Sequence, residues 1–212
     1  MEKYTYSIDL KGKKTRLTPE TGWNQTQFSS SFNYYINTVS NTTTPPATTL
    51  YGPTRKAIRV LEDNAALKEQ LSAYTIAPKE FVQIPAADQQ TLLNGWIMKP
   101  VTFDPNRTYP VVITQYSGPN SQQARKSWSL DWLNFLTQEG FVVACVDPRG
   151  TGARGEEFRK CTYMQLGKIE SEDMIAAGRW LASQSYIDAG KVSIWGWSYG
   201  GYNVLMSMSR GN

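Results

Sequence analysis

One short stretch near the end of the sequence constrains the fold more than any other: a strand-like run that passes through a glycine-flanked serine into a helical run. The strand covers Lys191–Trp195, the turn is Gly196-Trp-Ser-Tyr-Gly-Gly201, and the helix continues from Tyr202. A turn this sharp requires small residues beside its apex, because a side chain there would strike the neighbouring strand or helix. Ser198 at the apex is therefore expected at the carboxyl end of a strand in a helix-covered sheet.

From Phe81 onward, apolar strand-like runs alternate with amphipathic helical runs. Tyr109–Tyr116 and Phe141–Val146 are continuous apolar runs, as expected for parallel strands that are buried on both faces. Further strands are predicted over Phe81–Pro85 and Leu92–Pro100, which form a hairpin, and helices over Asp131–Gln138 and Met174–Gln184. This alternation predicts an α/β sheet with right-handed crossovers.

Residues 1–64 show a different pattern, in which short runs rich in aromatic and β-branched residues are separated by turns. The runs are Tyr4–Leu10, Lys14–Thr18, Phe28–Val39, Thr48–Tyr51 and Lys56–Leu61. Strands of this length and spacing are typical of a β-propeller blade or of part of a β-sandwich. A short helix over Asn64–Leu71, with Asn64 as its N-cap, and a connector that ends at Lys79 follow. The sequence therefore predicts an all-β region over residues 1–64, a connector that extends to residue 79, and an α/β region over residues 80–212.

The composition limits the partners and cofactors that the chain is suited to bind. The 22 Lys and Arg residues against 18 Asp and Glu residues give a net charge of only +4. The basic cluster between Lys11 and Arg16 surrounds Gly12, and we interpret it as a solvated hairpin turn rather than a nucleic-acid surface. Cys145 and Cys161 lack the spacing of a zinc site, so neither a metal nor another cofactor is expected. No apolar run reaches the length of a membrane span, so no membrane segment is expected either.

The turn around Ser198 also predicts a chemistry, because Gly196-Trp-Ser-Tyr-Gly200 matches the G-x-S-x-G pattern of a serine nucleophile. The helix after such a serine directs its positive end at a developing oxyanion, which favours acyl transfer. The alternative is an ordinary glycine-rich turn that binds phosphate, although no G-x-G-x-x-G motif or P-loop lysine supports it.

A serine at such a turn needs a histidine base and an acidic residue, which follow the serine along the chain in this fold. The sequence contains no histidine, and no acidic residue follows Ser198. The 212-residue chain is therefore expected to be inactive alone.

Four motifs follow one another between residues 110 and 202. They are Tyr116-Ser-Gly-Pro-Asn-Ser-Gln122, Asp147-Pro-Arg-Gly-Thr-Gly152, Gly167-Lys-Ile-Glu-Ser-Glu-Asp173 and Gly196-Trp-Ser-Tyr-Gly-Gly-Tyr202. In type and order they resemble the dipeptidyl peptidase IV group of the prolyl oligopeptidase family of serine peptidases. The resemblance implies that residues 1–79 are the remnant of a β-propeller with its connector. It also implies that residues 80–212 are the N-terminal half of an α/β-hydrolase sheet.

The resemblance implies roles for four residues. Ser198 would be the nucleophile, and the backbone N–H of Tyr199 and the hydroxyl of Tyr116 would form the oxyanion hole. Tyr199 would also line the pocket for a proline-sized side chain. Trp197 is expected to pack beneath the turn, with substrate contact as the alternative role. Loop salt bridges, rather than roles near the cleft, are expected for Arg149, Glu156 and Glu157.

The family activity implied for the whole protein is release of N-terminal Xaa-Pro or Xaa-Ala dipeptides from a peptide substrate through an acyl-enzyme. The family is often homodimeric, and its members are periplasmic, cell-surface or secreted. The family's catalytic Asp and His, and the glutamates that bind the substrate's amino terminus, correspond to sequence outside these 212 residues. Two alternatives therefore stay open: another acyl specificity, as in a tripeptidyl peptidase or an esterase, and a non-catalytic hydrolase-like binding protein.

Overall fold

The computed structural model describes residues 1–211 and divides them into two compact units. The first unit comprises Met1–Thr75 together with Arg125–Leu130, and the second comprises Ile76–Ala124 together with the residues from Asp131 onward. The N–H of Lys126 donates to the carbonyl of Met1 at 2.8 Å, which attaches the later segment to the first unit. This return of the chain was not predicted, because it depends on contacts between residues far apart in sequence. The domain boundary proposed between residues 79 and 80 stays a prediction.

The first unit is built from antiparallel strands and one short helix. Its elements are β1 (Tyr6–Ile8), β2 (Lys14–Arg16), β3 (Trp23–Phe28), β4 (Tyr35–Ser40), β5 (Ala47–Tyr51), β6 (Ala57–Glu62) and α1 (Ala65–Leu71). Strands β1 and β2 form the predicted hairpin around Gly12, and β3 to β6 form an antiparallel sheet in chain order. Four short antiparallel strands in this order are the structure expected of one propeller blade.

The run Phe28–Val39, which was predicted as one strand, contains the last residue of β3, a turn and most of β4. Phe32 has a φ of 56°, and the N–H of Ser29 donates to the carbonyl of Tyr34 at 2.9 Å, so the chain reverses direction there. The prediction of a single strand was wrong because a positive φ at phenylalanine is uncommon and leaves no trace in composition.

Helix α1 begins where it was predicted, but Asn64 does not cap it in the predicted way. Asn64 adopts a left-handed conformation, and its side-chain amide donates to the carbonyl of Pro46 at 2.6 Å. The carboxylate of Asp63 accepts the N–H of Ala65 at 2.9 Å instead. Asn64 therefore occupies the predicted N-cap position without a side-chain capping bond, and it joins the start of α1 to the loop before β5.

Strand β6 lies at one edge of the first unit's sheet and leaves apolar side chains uncovered. Ile58, Val60 and Leu61 are all exposed. Ile58 and Val60 share one face, because alternate residues of a strand point the same way. A single blade cannot cover such a face by itself, which is consistent with the predicted propeller remnant.

The second unit is a mixed sheet with helices packed against it. Its elements are β7 (Glu80–Pro85), β8 (Leu92–Met98), β9 (Tyr109–Thr114), α2 (Trp132–Gln138), β10 (Val142–Asp147), α3 (Glu156–Lys160), α4 (Ile169–Ala182), β11 (Ile187–Trp195) and α5 (Tyr199–Arg210). The strand order is β11-β9-β10-β8-β7, in which β9 pairs in parallel with β10 and β11. Strands β7 and β8 form the predicted hairpin, and β8 pairs antiparallel with β10. The predicted α/β sheet is confirmed, whereas α3 was missed and α4 begins at Ile169 rather than Met174.

Strand β10 runs through the middle of the core, and all of its residues are buried. Val142 and Val146 face a cluster that includes Met174 and Leu181 of α4, whereas Val143 faces a second cluster that includes residues of α2. Alternate residues of the strand thus contact helices on opposite faces of the sheet, as its continuous apolar sequence indicated.

The parallel pairing of β9, β10 and β11 brings their carboxyl ends to one edge of the sheet. The chain leaves these strands after Thr114, Asp147 and Trp195. Three of the four sequence motifs therefore begin at the same edge, which is where open α/β sheets place their functional residues.

Leu93→Ala is expected to lower the free energy of unfolding by about 2–5 kcal/mol, because the fully buried Leu93 would leave a cavity. The matched control is Leu92→Ala at the adjacent position of β8, where the side chain is 45 % exposed. We expect the free energy of unfolding of that control to stay within about 0.5 kcal/mol of the wild-type value. Urea unfolding measures both variants, and equal losses would contradict the assignment of the two faces of β8.

Candidate active site

The turn between β11 and α5 places Ser198 at its apex with an unusual backbone conformation. Ser198 has φ 57° and ψ −119°, a region that non-glycine residues rarely occupy. A Cβ on Gly196 would lie 2.5 Å from the carbonyl oxygen of Gly200, and one on Gly200 would lie 2.6 Å from the carbonyl oxygen of Gln115. Both glycines are therefore required by contact with neighbouring backbone, as the sequence pattern predicted.

The side chain of Ser198 is exposed, and it makes no capping bond to the helix that it precedes. Among residues 1–211, none forms a hydrogen bond with its hydroxyl. The N–H of Gly200 donates to the carbonyl of Trp197 at 2.8 Å, and the N–H of Tyr202 donates to the carbonyl of Ser198 at 3.1 Å. By contrast, no described group accepts the N–H of Tyr199. The apex therefore presents a hydroxyl and an unpaired N–H at the positive end of a helix.

Gln115, which follows β9, joins the end of that strand to the turn. Its N–H donates to the carbonyl of Trp195 at 3.3 Å, and its side-chain amide donates to the carbonyl of Gly200 at 2.8 Å. Its side-chain oxygen accepts the hydroxyl of Ser117 at 2.6 Å. Sequence reasoning missed Gln115, although a polar residue at the end of an otherwise apolar strand was a usable signal.

Tyr116 is the next residue, and its ring lies beside the ring of Tyr199 with centroids 6.3 Å apart. Gly118 allows this position, because a Cβ there would lie 3.0 Å from Cδ1 of the Tyr116 ring. The structure thus brings together three of the four residues singled out from the sequence: Ser198, Tyr199 and Tyr116.

Trp197 does not occupy the position that was expected for it. Its side chain is 77 % exposed, so the expectation that it packs beneath the turn was wrong. Beneath the turn, the backbone at Gly196 and Gly200 lies against neighbouring atoms so closely that an indole would not fit there. The neighbouring Trp195 instead packs edge-to-face on Trp132, with ring centroids 5.0 Å apart.

A buried carboxylate fixes the loop that contains Tyr116. Both oxygens of Asp147 accept the N–H of Gln123, and one of them also accepts the N–H of Ala124 at 2.8 Å. The same loop is joined to the loop after β10, since the N–H of Gly152 donates to the carbonyl of Ser121 at 2.7 Å. The two loops at this edge of the sheet are therefore held as one unit.

The predicted salt bridges of the loop after β10 are confirmed for Arg149 and Glu156. Arg149 binds the buried carboxylate of Asp173 with two nitrogens, Nε at 2.9 Å and Nη2 at 2.7 Å, and its Nη1 lies 2.7 Å from Asp88. The hydrogen bonds to Asp173 raise the pKa of Arg149. Glu156 pairs with two cationic side chains of α3, which lower its pKa to about 2. For Glu157, no ion pair exists within the described part of the chain.

The hydroxyl of Tyr199 donates to a third buried carboxylate, Glu170, at 2.5 Å. Burial and this hydrogen bond raise the pKa of Tyr199 well above its usual range, so its hydroxyl stays protonated. In the sequence analysis Glu170 was only one residue of the third motif and had no role of its own. Its contact with Tyr199 could not be predicted, because it depends on how α4 packs against α5.

Neither a metal cluster nor a membrane-spanning helix occurs in residues 1–211. No group of three or more His, Cys, Asp or Glu side chains in this range lies close enough to hold a metal ion. No helix in the same range has the length and apolar character needed to cross a bilayer.

Two family profiles match the sequence. The profile of the prolyl oligopeptidase family matches residues 127–212, and that of the dipeptidyl peptidase IV (DPP IV) N-terminal region matches residues 1–46. A probable dipeptidyl peptidase 4 of Emericella nidulans is 36 % identical over 214 residues, which cover 95 % of this chain and 27 % of the relative. Prolyl endopeptidase FAP of Homo sapiens is 36 % identical over 185 residues, or 87 % of this chain and 24 % of the relative. The chain thus spans about a quarter of the length of these relatives.

Solved structures show the same similarity. The crystal structure of Porphyromonas gingivalis dipeptidyl peptidase 4 matches all of this chain with a TM-score of 0.94 and 53 % identity, over 30 % of its own length. A putative dipeptidyl aminopeptidase IV from Bacteroides ovatus matches 97 % of this chain with a TM-score of 0.83 and 27 % identity, also over 30 % of its own length. These matches confirm the predicted fold class, an α/β-hydrolase sheet preceded by β-propeller sequence.

Gly200→Ala is expected to lower the free energy of unfolding by about 1–3 kcal/mol, because its Cβ would press on the backbone of Gln115. Gly201→Ala is the matched control, since a Cβ there meets nothing nearer than 3.4 Å. Alanine in a helix is more favourable than glycine by roughly 0.5–1 kcal/mol, so the control should be neutral or stabilised. Denaturant unfolding distinguishes the two variants, and an unchanged Gly200→Ala protein would refute the close approach.

Proposed function

Because this chain belongs to the dipeptidyl peptidase IV group of the prolyl oligopeptidase family, we propose that it is the part of a serine exopeptidase that provides the nucleophile. The proposed reaction is the release of N-terminal Xaa-Pro or Xaa-Ala dipeptides from peptides. The observation that supports it most directly is the exposed hydroxyl of Ser198 at a conformationally unusual apex. A purely structural glycine turn has no need of that geometry.

In this reaction the Ser198 oxygen attacks the carbonyl carbon of the bond that follows the second substrate residue. The carbonyl oxygen becomes an oxyanion, which would accept hydrogen bonds from the N–H of Tyr199 and the hydroxyl of Tyr116. Collapse of this intermediate releases the shortened peptide with a proton on its new amino terminus and leaves an acyl-serine. Water then hydrolyses the ester and regenerates the Ser198 hydroxyl.

The proton of the Ser198 hydroxyl must pass to a base that these 212 residues do not supply as a histidine. In α/β-hydrolases the acid and the histidine follow the nucleophile along the chain. We therefore expect the base and its acidic partner to come from sequence outside these residues. The chain tested alone is expected to be inactive.

The pocket for the second substrate residue is proposed to lie against the ring of Tyr199. That ring is half-buried and is fixed at its hydroxyl by Glu170, so it offers a rigid flat wall suited to a pyrrolidine ring. The exposed Trp197 is the second candidate for substrate contact, since its indole is uncovered beside the apex. The homodimeric state of the family and the absence of nucleic-acid binding stay predictions for this protein.

The relatives' names favour one further specificity to be tested beside the dipeptidyl one. The human relative is named a prolyl endopeptidase, and the fungal relative a probable dipeptidyl peptidase. A panel containing dipeptidyl-Pro, tripeptidyl, N-blocked internal Pro and simple ester substrates separates these specificities. Hydrolysis of only the blocked or ester substrates by the full-length protein would reject the dipeptidyl proposal.

Ser198→Ala in the full-length protein is expected to abolish hydrolysis of a chromogenic dipeptidyl-Pro substrate, because the acyl acceptor is lost. Replacing the nucleophile of a serine peptidase lowers kcat by up to about 10⁶-fold. Ser209→Ala, an exposed serine on the same helix, is the matched control and should retain wild-type activity. Activity that survives Ser198→Ala would rule out the proposed nucleophile.

Tyr116→Phe is expected to lower kcat by about 10²–10³-fold with little change in KM, because one oxyanion donor is removed while the ring remains. Tyr74→Phe, at an exposed tyrosine of the first unit, controls for loss of a phenol elsewhere. Steady-state kinetics of the full-length protein measure the effect. A kcat within about twofold of the wild type would exclude Tyr116 from the oxyanion hole.

A further inference from the structure

Glu170 is a buried carboxylate that the proposed reaction does not use. It lies in the first turn of α4, and only 1 % of its surface is exposed. No ion pair to this carboxylate exists within residues 1–211. A buried carboxylate without a cation is costly, and its position at a helix N-terminus offsets only part of that cost.

The contacts of Glu170 are concentrated on one oxygen. Oε1 accepts the hydroxyl of Tyr199 at 2.5 Å and the N–H of Gly167 at 2.7 Å. Oε2 is also buried, and it has no hydrogen-bond partner in the described part of the chain. Because a buried polar group that loses its partner is costly, the bond between Glu170 and the Tyr199 phenol holds both groups in place.

The Tyr199 ring contacts two other tyrosine rings in addition to the hydrogen bond at its hydroxyl. Its ring meets the Tyr202 ring edge-to-face at 5.4 Å and the Tyr116 ring at 6.3 Å. Gly167 leaves space for this arrangement, because a Cβ there would lie 2.7 Å from Cζ of Tyr202. Glu170 is thus the polar anchor of an aromatic cluster that reaches the proposed oxyanion phenol.

We propose that Glu170 is a positioning residue, which holds the Tyr199 ring as the wall of the pocket beside Ser198 and thereby sets the preference for proline. The inference rests on the proposed peptidase function, since it assigns Tyr199 to the substrate pocket. Glu170 acts through Tyr199 and does not touch the reacting atoms. Removing the carboxylate and removing the phenolic hydroxyl should therefore have the same consequence.

The test uses Glu170→Ala, Tyr199→Phe, the double variant and Glu170→Gln in the full-length protein. Each of the first two should lower kcat/KM for a dipeptidyl-Pro substrate by about tenfold, the loss expected for one buried hydrogen bond. The double variant should lose no more than the worse single one, because both changes break one interaction. Glu170→Gln retains an acceptor oxygen and should recover most of the activity. Glu172→Gln, two residues along α4 and paired with Arg210, is the matched control and should behave as wild type.

Two readouts distinguish positioning from a merely structural role. Active-site titration with a fluorophosphonate counts folded sites, so kcat is expressed per reactive serine. The ratio of kcat/KM for proline and alanine at the second substrate position should fall in Glu170→Ala, because a displaced ring disturbs the larger side chain more. An equal loss for both substrates, or additive losses in the double variant, overturns the proposal.

The same variants separate a failure of this inference from a failure of the proposed function. If the wild-type protein cleaves no dipeptidyl substrate, the proposed dipeptidyl specificity is refuted. The rate at which a fluorophosphonate labels Ser198 can still be measured in that case. Slower labelling in Glu170→Ala and Tyr199→Phe, with no further slowing in the double variant, supports positioning by Glu170. Labelling at the wild-type rate overturns it.

Discussion

The close approach of the Ser198 turn to the end of β9 is the constraint on which the candidate site depends. Gly200 lies so near the carbonyl of Gln115 that a single methyl group would not fit between them. The Gln115 side chain spans the same gap and donates to the carbonyl of Gly200. Because Tyr116 is the next residue along the chain, this contact also helps to place its ring beside that of Tyr199. The position of the Tyr116 ring beside the Ser198 turn is therefore set by backbone packing and not by flexible side chains.

Three buried carboxylates extend this rigidity to the surrounding loops. Asp147 binds the loop after β9, Asp173 binds the loop after β10 through Arg149, and Glu170 binds Tyr199. Each accepts at least one backbone N–H as well, at Ala124, Arg149 and Gly167 respectively. Burying an acid is unfavourable unless such donors surround it, so these loops have few alternative conformations. The result is an exposed hydroxyl on a scaffold whose neighbours are fixed.

Much of this arrangement could be predicted from sequence because its causes are local. The apex at Ser198 follows from steric demands on adjacent residues, and the buried strands follow from continuous apolar runs. What could not be predicted depends on pairs distant in sequence, such as Glu170 with Tyr199 or Gln115 with Gly200. The prediction for Trp197 was wrong for the same reason, because the space beneath the turn is set by β9, a strand some eighty residues earlier. The break within Phe28–Val39 was missed because it depends on one backbone angle at Phe32.

The backbone angles of Ser198 have a consequence for how this region tolerates change. Ser198 is held in a backbone conformation that only glycine adopts freely. Such a conformation typically lowers the free energy of unfolding by roughly 1–3 kcal/mol. The fold would accordingly gain stability if Ser198 were replaced by glycine, which adopts these backbone angles without a Cβ clash. Stability alone therefore favours glycine over serine at this apex, so the serine side chain is carried there at a cost in stability.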